Sequence, residues 1–396
     1  MSWQQVQLGD IFEIARGGSP RPIDQYITDD PNGLNWISIK DASNSSKYIY
    51  KTEKKIKPEG LHKTRLVHPD DFLLTNSMSF GRPYIMKTTG CIHDGWLVLS
   101  ADKSKVDTDY FYHLLGSDFI YRKFVGLAAG AVVKNLNTDL VKSVTVPLPP
   151  INEQRRISSI LDKANELRQK RQQAIEKLDQ LLQATFIDMF GDPVSNPNNF
   201  EQIELDNFIL VGPQNGLYKP SNMYGQGIPI VRIDGFKSGD IIDNKEFKRL
   251  SLEESDIEKY KLNKFDLVIN RVNSPEYIGK TALIRNLEES TVFESNMMRF
   301  AVDPSKLDPY YLLFFLKQQF VLNQIANKRK DAVNQSSINQ QDVKSLIINV
   351  PSIESQLTFS NFFQKIEKNR NLFKQQSLNF DNLFKALQNQ AFSGNL

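Results

Sequence analysis

The chain is a two-fold internal repeat, and this feature constrains its fold more than any other. Six short patterns of the first half return in the same order in the second half, at an offset of about 194 to 202 residues. The clearest matches pair segment 3–11 with 200–208, segment 71–76 with 266–271, and segment 149–154 with 351–356. Solenoid units have only about 20–50 residues. Repeats of this length therefore predict two domains of one fold rather than duplication for stability alone.

The composition limits the classes of protein to which the chain can belong. Of its 396 residues, 40% are hydrophobic, which is enough for packed cores, and no apolar run reaches the roughly 18 residues of a membrane span. Cys91 is the single cysteine, and the four histidines lack zinc-ligand spacing. We therefore expect no disulfide, metal or bound cofactor. The first residues do not resemble a signal peptide, which favours a cytoplasmic location.

The charge is close to balanced, with 49 Lys and Arg against 46 Asp and Glu and a net charge of +3. A protein that binds DNA without sequence preference is usually far more basic. Any nucleic-acid-binding surface on this chain is therefore expected to be local, with partner subunits supplying much of the phosphate contact.

The first part of each repeat predicts a mixed α/β (α+β) domain. Segments 71–74 and 266–269 are short apolar runs of buried-strand length, and segments 36–39 and 229–233 are rich in β-branched residues. Helices are expected at 109–115 and 308–316, each opened by an aspartate cap at Asp109 or Asp308.

The last part of each repeat predicts a long helix after Pro149-Pro150 or Pro351. Apolar residues recur there at alternating spacings of three and four, which is typical of a coiled-coil seam, and each helix would span roughly 36 residues or about 54 Å. The first seam runs through 157, 160, 164, 167, 174, 178 and 181, and the second through 359, 362, 366, 373, 380, 383 and 387. We expect two antiparallel helices that pair with each other; an amphipathic helix lying on its own domain is the alternative.

The resulting division has four segments. They are domain 1 at 1–150, a central helix at 151–191, domain 2 at 192–352, and a C-terminal helix at 353–396. Antiparallel helices would relate the two domains by a pseudo-two-fold axis, which suits the two-fold symmetry of duplex DNA.

Motifs for catalysis do not accompany this architecture. The sequence has no G-x-x-x-x-G-K-[ST] loop, no G-x-G-x-x-G turn and no G-x-S-x-G elbow, and Asn196-Pro197 lacks the second proline of a methyltransferase motif. We therefore expect a protein that is not an enzyme.

Polar loops after matched strands are the candidate DNA-binding sites, because arginine, lysine and amide side chains contact phosphates and base edges. Both copies keep a glycine-containing polar loop at the same place but change its residues, as expected if the domains read different bases. The candidates in domain 1 are Arg16, Ser19, Arg21, Asn76, Ser77, Ser79, Arg82, Tyr84, Lys134 and Asn135. Those in domain 2 are Gln214, Asn215, Tyr218, Lys219, Arg271, Asn273, Ser274, Lys280 and Lys330. A partner-binding surface is expected on the helices at Leu161, Leu167, Phe186, Phe362, Phe363 and Phe373.

Several motifs resemble those of one family, the specificity (S) subunits of Type I restriction–modification enzymes. They are the segments 71–83, 133–140, 146–154 and 391–396, with a Pro-x-x-x-Glu-Gln entry to the first helix and an Ala-Phe-x-Gly-x-Leu ending. The second copy departs from the first, reading Ile353-Glu-Ser-Gln356 at the helix entry.

The resemblance implies that each domain is a target recognition domain that reads half of a split, asymmetric DNA target. It implies that the helices act as a spacer ruler and as the docking site of two modification (M) subunits. Those subunits would bind S-adenosylmethionine, and restriction (R) subunits would join for cleavage. Two other classes stay open: a scaffold that joins protein-binding domains, and a fused enzyme.

Overall fold

The computed structural model describes residues 3–76, 81–129, 136–243, 246–333 and 335–396. They form two compact units, and each long helix contributes to both. Unit 1 contains 1–173 and 374–396, and unit 2 contains 174–373. The four-segment division of the sequence therefore differs from the observed one, because the two helices are divided between the units.

Unit 1 contains two five-stranded sheets and a two-stranded ribbon, with strand orders β2-β11-β8-β9-β5, β3-β6-β4-β10-β7 and β1-β12. Its strands are β1 (Gln4–Gln7), β2 (Phe12–Arg16), β3 (Ile27–Thr28), β4 (Leu34–Ile37), β5 (Tyr48–Ile49), β6 (Lys54–Ile56), β7 (Arg65–Val67), β8 (Phe72–Thr75), β9 (Pro83–Met86), β10 (Gly90–Ile92), β11 (Trp96–Ala101) and β12 (Thr145–Leu148). Its short helices are α1 (Ile39–Ser43), α2 (Thr108–Leu115), α3 (Asp118–Ala129) and α4 (Thr138–Lys142).

Unit 2 contains the sheet β14-β22-β18-β20-β16, the ribbon β13-β25 and two three-stranded sheets, β17-β15-β21 and β19-β24-β23. Its strands are β13 (Glu201–Glu204), β14 (Ile209–Asn215), β15 (Tyr224–Val231), β16 (Asp240–Asp243), β17 (Lys248–Leu250), β18 (Leu267–Asn270), β19 (Val272–Asn273), β20 (Thr281–Asn286), β21 (Val292–Phe293), β22 (Met297–Val302), β23 (Lys330–Ala332), β24 (Gln335–Ser337) and β25 (Ile347–Val350). Its short helices are α6 (Glu254–Tyr260), α7 (Pro309–Leu316), α8 (Gln319–Lys328) and α9 (Gln340–Lys344). The long helices are α5 (Ile151–Phe190) and α10 (Ile353–Ser393).

The repeat predicted from the sequence is confirmed in the main sheets and the two-stranded ribbons, whereas the remaining sheets of the two units differ. The two main sheets have the same order, with three antiparallel pairings followed by one parallel pairing, β5 with β9 in unit 1 and β16 with β20 in unit 2. The predicted strands in segments 71–74 and 266–269 are β8 and β18, and every residue of both is buried. They are the central strands of their sheets, which explains why they are continuously apolar.

The long helices pair antiparallel within each unit. In unit 1, Arg168 Nε is 2.6 Å from Asp381 Oδ1, and Arg156 Nη2 donates to the Leu396 carbonyl at 2.7 Å. In unit 2, Arg370 Nη1 is 3.2 Å from Asp179 Oδ1. Arg168 and Arg370 are equivalent in the repeat, so the same interhelical ion pair occurs once in each unit.

The predicted helix seam is wrong in several positions. Leu181 and Leu383 are exposed, and the buried residues lie one position later, at Leu182 and Phe384. The reason is that Ile157, Leu161, Leu182 and Phe186 enter the cores of the domains. The helices thus pair with each other and also lie on their own domains, which was the alternative.

A glutamine in the first turn of each long helix attaches that helix to its domain. The Gln154 side chain accepts from the Asp107 backbone N–H at 2.8 Å and donates to the carbonyls of Lys105 (2.8 Å) and Pro149 (2.9 Å). Asp107 in turn caps α2, so the cap predicted at Asp109 is wrong by two residues.

The same contacts recur in unit 2. Gln356 accepts from the Asp308 N–H at 2.8 Å and donates to the carbonyls of Lys306 (3.4 Å) and Pro351 (2.9 Å). Asp308 caps α7, as the sequence predicted. Within the described ranges, no helix is long and apolar enough to cross a membrane.

Candidate nucleic-acid interface

Four of the residues predicted in domain 1 meet around the loop residue Asp94. Arg16 Nε and Asn76 Nδ2 donate to the Asp94 carbonyl at 2.9 and 2.8 Å. The Asp94 carboxylate accepts from Ser19 Oγ at 2.9 Å and from Arg21 Nη2 at 3.3 Å. Side chains from segments far apart in the sequence are thus brought to one place, with the Arg21 side chain 79% exposed.

Electrostatics keep Asp94 ionised in this cluster. The hydrogen bond from Ser19 is the largest influence that lowers the pKa of the Asp94 carboxyl, and the positive charge of Arg21 adds to it. Because the Arg21–Asp94 ion pair is exposed, we expect it to contribute little to the free energy of folding. Its role is to hold the loop that contains Arg21 next to Asp94.

Two further basic residues, Arg65 and Lys63, neighbour this cluster and were missed by sequence reasoning. Arg65 Nε donates to the Arg16 carbonyl at 3.4 Å, and a Cβ at Gly18 would lie 2.6 Å from the Lys63 carbonyl. The Arg65 side chain is exposed and can supply a phosphate contact, whereas the Lys63 ammonium donates to the Tyr26 hydroxyl at 2.9 Å. They lie at the start of β7 and just before it, where no repeat or motif marked them.

The second predicted loop of domain 1, at 76–84, is exposed at Arg82 but not at Asn76 or Tyr84. Arg82 is exposed, with its guanidinium carbon 5.1 Å from the centre of the Tyr84 ring. Tyr84 itself is 2% exposed in the core, so its prediction as a DNA contact is wrong; Asn76, at 4%, is also too buried for that role. The predicted residues Ser77, Ser79, Lys134 and Asn135 lie outside the described residues.

In unit 2, two predicted residues meet in a polar concavity. Asn215 and Arg271 line a space of about 460 Å³ together with Gln340, Gln341 and Lys344, and also Asn339. Arg271 Nη1 donates to the Ser295 carbonyl at 3.1 Å. The three residues of α9 were not predicted, because a five-residue helix has too few turns to show a sequence period.

Other predicted residues of domain 2 are engaged within the domain. Gln214 accepts from Arg299 Nε at 2.9 Å and donates to the Lys259 carbonyl at 3.0 Å. Lys219 pairs with Asp256 at 2.7 Å. These contacts favour structural roles for Gln214 and Lys219.

Lys280 lies at a second cavity of domain 2, of about 600 Å³, which Phe236 and Tyr277 also line. Its ammonium donates to the carbonyls of Ile233 and, at 2.9 Å, Phe236, and lies 4.7 Å from the centre of the Phe236 ring. Lys280 therefore holds the 233–236 loop, and its predicted contact with DNA is not supported.

The remaining predicted residues of domain 2 are accessible or partly so. Tyr218 is 78% exposed and Lys330 is exposed on β23. Asn273 and Ser274 are half-buried, and the Asn273 side chain accepts from the Ser274 N–H at 2.8 Å.

The predicted partner surface on the helices needs correction. Leu161, Phe186 and Phe363 are buried in the domain cores, so their prediction as partner contacts is wrong. Leu167 is exposed, and Phe362 and Phe373 are half-buried. Other exposed apolar residues that were not predicted lie on the same helices, at Leu181, Ile187, Leu357, Leu372, Leu378 and Leu383.

In each unit, arginine and amide side chains thus meet at one loop cluster, and both units include parts of the two long helices. Such side chains can contact the phosphates and base edges of a nucleic acid. Among the described residues, no group of three or more His, Cys, Asp or Glu side chains could hold a metal ion.

A family model described as the Type I restriction modification DNA specificity domain matches residues 1–177 and 198–379. The chain belongs to this family, with one family domain in each repeat. The resemblance seen in the sequence is thereby confirmed.

Individual relatives give the same result. The chain is 25% identical over 304 residues to the "Type I restriction enzyme EcoKI specificity subunit" of Escherichia coli K12, a match that covers 72% of this chain and 65% of the relative. It is 36% identical over 163 residues to the "Putative type I restriction enzyme MjaX specificity subunit" of Methanocaldococcus jannaschii, covering 40% of this chain and 37% of the relative. The chain thus spans about two thirds and about one third of these relatives.

Solved structures support the fold alone, since their sequence identity is low. One chain, from a study of complex assembly and conformational transition of the type I R-M system, has a TM-score of 0.60 at 17% identity and covers 100% of this chain and 98% of its own length. The Type I restriction–modification S subunit from M. genitalium has a TM-score of 0.56 at 14% identity. The match covers 99% of this chain and 96% of that subunit.

Proposed function

We propose that this chain is the DNA-specificity subunit of a Type I restriction–modification complex and binds a bipartite, asymmetric target in double-stranded DNA. Each domain binds one half of that target. The observation that carries the proposal is the pair of loop clusters at Asp94 and Ser295, which share a scaffold but present different side chains. Equal scaffolds with unequal polar side chains suit two half-sites of different sequence.

The two long helices serve as the spacer between the half-sites and as the docking surface for two modification subunits. Their exposed leucines, including Leu167, Leu181 and Leu383, are the apolar surface available for docking. The chain performs no chemistry of its own. S-adenosylmethionine is bound by the modification subunits, restriction subunits join for cleavage, and the complex acts in the cytoplasm.

Helix length is expected to set the spacer between the two half-sites. Inserting four helical residues into each helix, after Gln173 and after Phe373, where the units meet in the sequence, adds about 6 Å of rise. This length corresponds to about two base pairs at 3.4 Å each. Methylation-site mapping with the modification subunit present should show a spacer longer by about two base pairs.

A matched control replaces four residues at each point with the inserted sequence without changing the helix length, and its spacer should be that of the unchanged chain. An unchanged spacer in the insertion variant would contradict the proposal that helix length sets the distance between the half-sites.

The two domains are expected to act as separate readers. Replacing Arg82, whose guanidinium is exposed in unit 1, with alanine should reduce discrimination in one half-site by about tenfold and leave the other half-site intact. Methylation of a panel of duplexes with single base changes measures both halves at once. Equal relaxation of the two half-sites would argue against separate readers.

A further inference from the structure

Strand register identifies an equivalent position in the two reading clusters. Arg16, the last residue of β2, is opposite Leu97, and Asn215, the last residue of β14, is opposite Met298. Leu97 and Met298 are each the second residue of the matched strands β11 and β22. Arg16 and Asn215 therefore occupy the same place in the fold, although the sequences around them differ.

The glycine after each of these residues supports the equivalence. A Cβ at Gly17 would lie 2.1 Å from the His93 carbonyl oxygen, and a Cβ at Gly216 would lie 2.2 Å from that of Glu294. Only glycine fits at such a distance, so both loops approach the same neighbouring turn equally closely. The outer side chains, Arg16 and Asn215, are thus placed by backbone contacts rather than by their own identity.

A second equivalent position lies two strands further into each main sheet, directly after β8 and β18. Asn76 follows Thr75, which is opposite Trp96, and Arg271 follows Asn270, which is opposite Met297. Trp96 and Met297 begin the matched strands, so Asn76 and Arg271 are equivalent.

At these two matched positions each unit therefore has one arginine and one asparagine, but in exchanged places. In unit 1 the arginine is at the outer position and the asparagine at the inner; in unit 2 the asparagine is outer and the arginine inner. Both inner side chains donate to the same carbonyl of the neighbouring turn, Asn76 to Asp94 at 2.8 Å and Arg271 to Ser295 at 3.1 Å.

The outer side chains keep hydrogen-bonding groups for a ligand. Arg16 is exposed and uses Nε on the Asp94 carbonyl at 2.9 Å, and among the described residues its two terminal nitrogens have no acceptor. A guanidinium held at Nε presents its two-pronged end outward, which is the geometry that binds O6 and N7 of guanine. In the described part of the chain, the exposed Asn215 carboxamide has no hydrogen bond, which leaves its oxygen and nitrogen for N6 and N7 of adenine.

We propose that Arg16 and Asn215 are equivalent base-reading residues, with Arg16 contacting a guanine in one half-site and Asn215 an adenine in the other. The inference rests on the proposed function and assigns a base type to each domain. Asn76 and Arg271 are positioning residues that brace the same turn in the two units.

The test uses the full chain in complex with its modification subunit and a panel of duplexes that carries each base at each target position. Arg16→Lys keeps the positive charge but removes the planar two-pronged end, so a bidentate guanine contact is weakened while a phosphate contact is kept. We expect Arg16→Ala to reduce discrimination by about tenfold or more at one guanine of one half-site, and Arg16→Lys to reduce it there by a smaller factor. Asn215→Ala should have the effect of Arg16→Ala, at one adenine of the other half-site.

The reciprocal variant makes the assignment sharper. Arg16→Asn should shift the preference at that one position from guanine towards adenine. Lys51→Ala, at an exposed lysine of the same unit, is the control, and any effect it has should be equal for all bases. Thermal unfolding of each variant checks that the fold is retained.

Two results would overturn the inference. One is an Arg16→Ala variant with unchanged discrimination, and the other is a uniform loss of binding for all bases with Arg16→Ala, which indicates a phosphate contact. Failure of the proposed function is distinguishable, since the unaltered complex would then show no sequence-dependent methylation of any duplex in the panel.

Discussion

Replacing Phe186 with alanine is expected to lower the free energy of unfolding of unit 2 by about 4 kcal/mol. Phe186 is fully buried, and its ring centre lies 5.0 Å from that of Phe314, 5.1 Å from Phe190, 5.4 Å from Phe359 and 6.1 Å from Tyr311. The loss has two parts. The free energy gained by burying the phenyl ring disappears, and the substitution leaves a cavity that the four neighbouring aromatic rings cannot fill.

Urea denaturation of the full chain, followed by far-UV circular dichroism, measures the effect. Ile187→Ala is the matched control, because Ile187 is the next residue of α5 and is exposed; its effect should stay below about 1 kcal/mol. A loss below about 2 kcal/mol for Phe186→Ala would show that the cluster refills the cavity and does not hold α5 against domain 2.

Replacing Gln356 with alanine is expected to cost about 3 kcal/mol, because three backbone groups lose their hydrogen-bond partner. The Gln356 side chain is fully buried, accepts from the Asp308 N–H, and donates to the carbonyls of Lys306 and Pro351. Since Asp308 is also the cap of α7, the substitution disturbs the start of two helices at once.

The same denaturation measurement tests this prediction. Gln375→Ala, at an exposed glutamine in the middle of α10, should change the free energy of unfolding by less than about 0.5 kcal/mol. Gln154→Ala should resemble Gln356→Ala, because its three contacts in unit 1 are the same. A large loss of unfolding free energy for one glutamine and none for the other would show that equal hydrogen-bond geometry does not give equal stabilisation in the two units.

The repeat and the central strands could be predicted because their signals are local and strong. Segments 71–74 and 266–269 are continuously apolar, and strands of that kind are buried on both faces. The long helices were predictable for a similar reason, since proline ends the preceding strand and a three-and-four period follows. Their buried faces were misplaced, however, because Leu182 and Phe186 contact a domain core that periodicity does not describe.

The candidate site was predicted less completely. Arg16 and Asn215 were identified from their polar loops, but Tyr84 was misassigned because it belongs to β9 (Pro83–Met86), in which every residue is buried, and not to the preceding loop. Asp94, which organises the first cluster, stood in a turn without any motif. Its role depends on Ser19 and Arg21, which lie more than seventy residues away in sequence.

The sequence by itself determined that two similar domains alternate with two long helices, because hydrophobic period, proline and repetition act over short distances along the chain. Only the tertiary structure decided which polar side chains meet. The exchanged arginine and asparagine at Arg16, Asn76, Asn215 and Arg271 become visible through strand register. Register is set by hydrogen bonds between strands distant in sequence, so no local pattern encodes it.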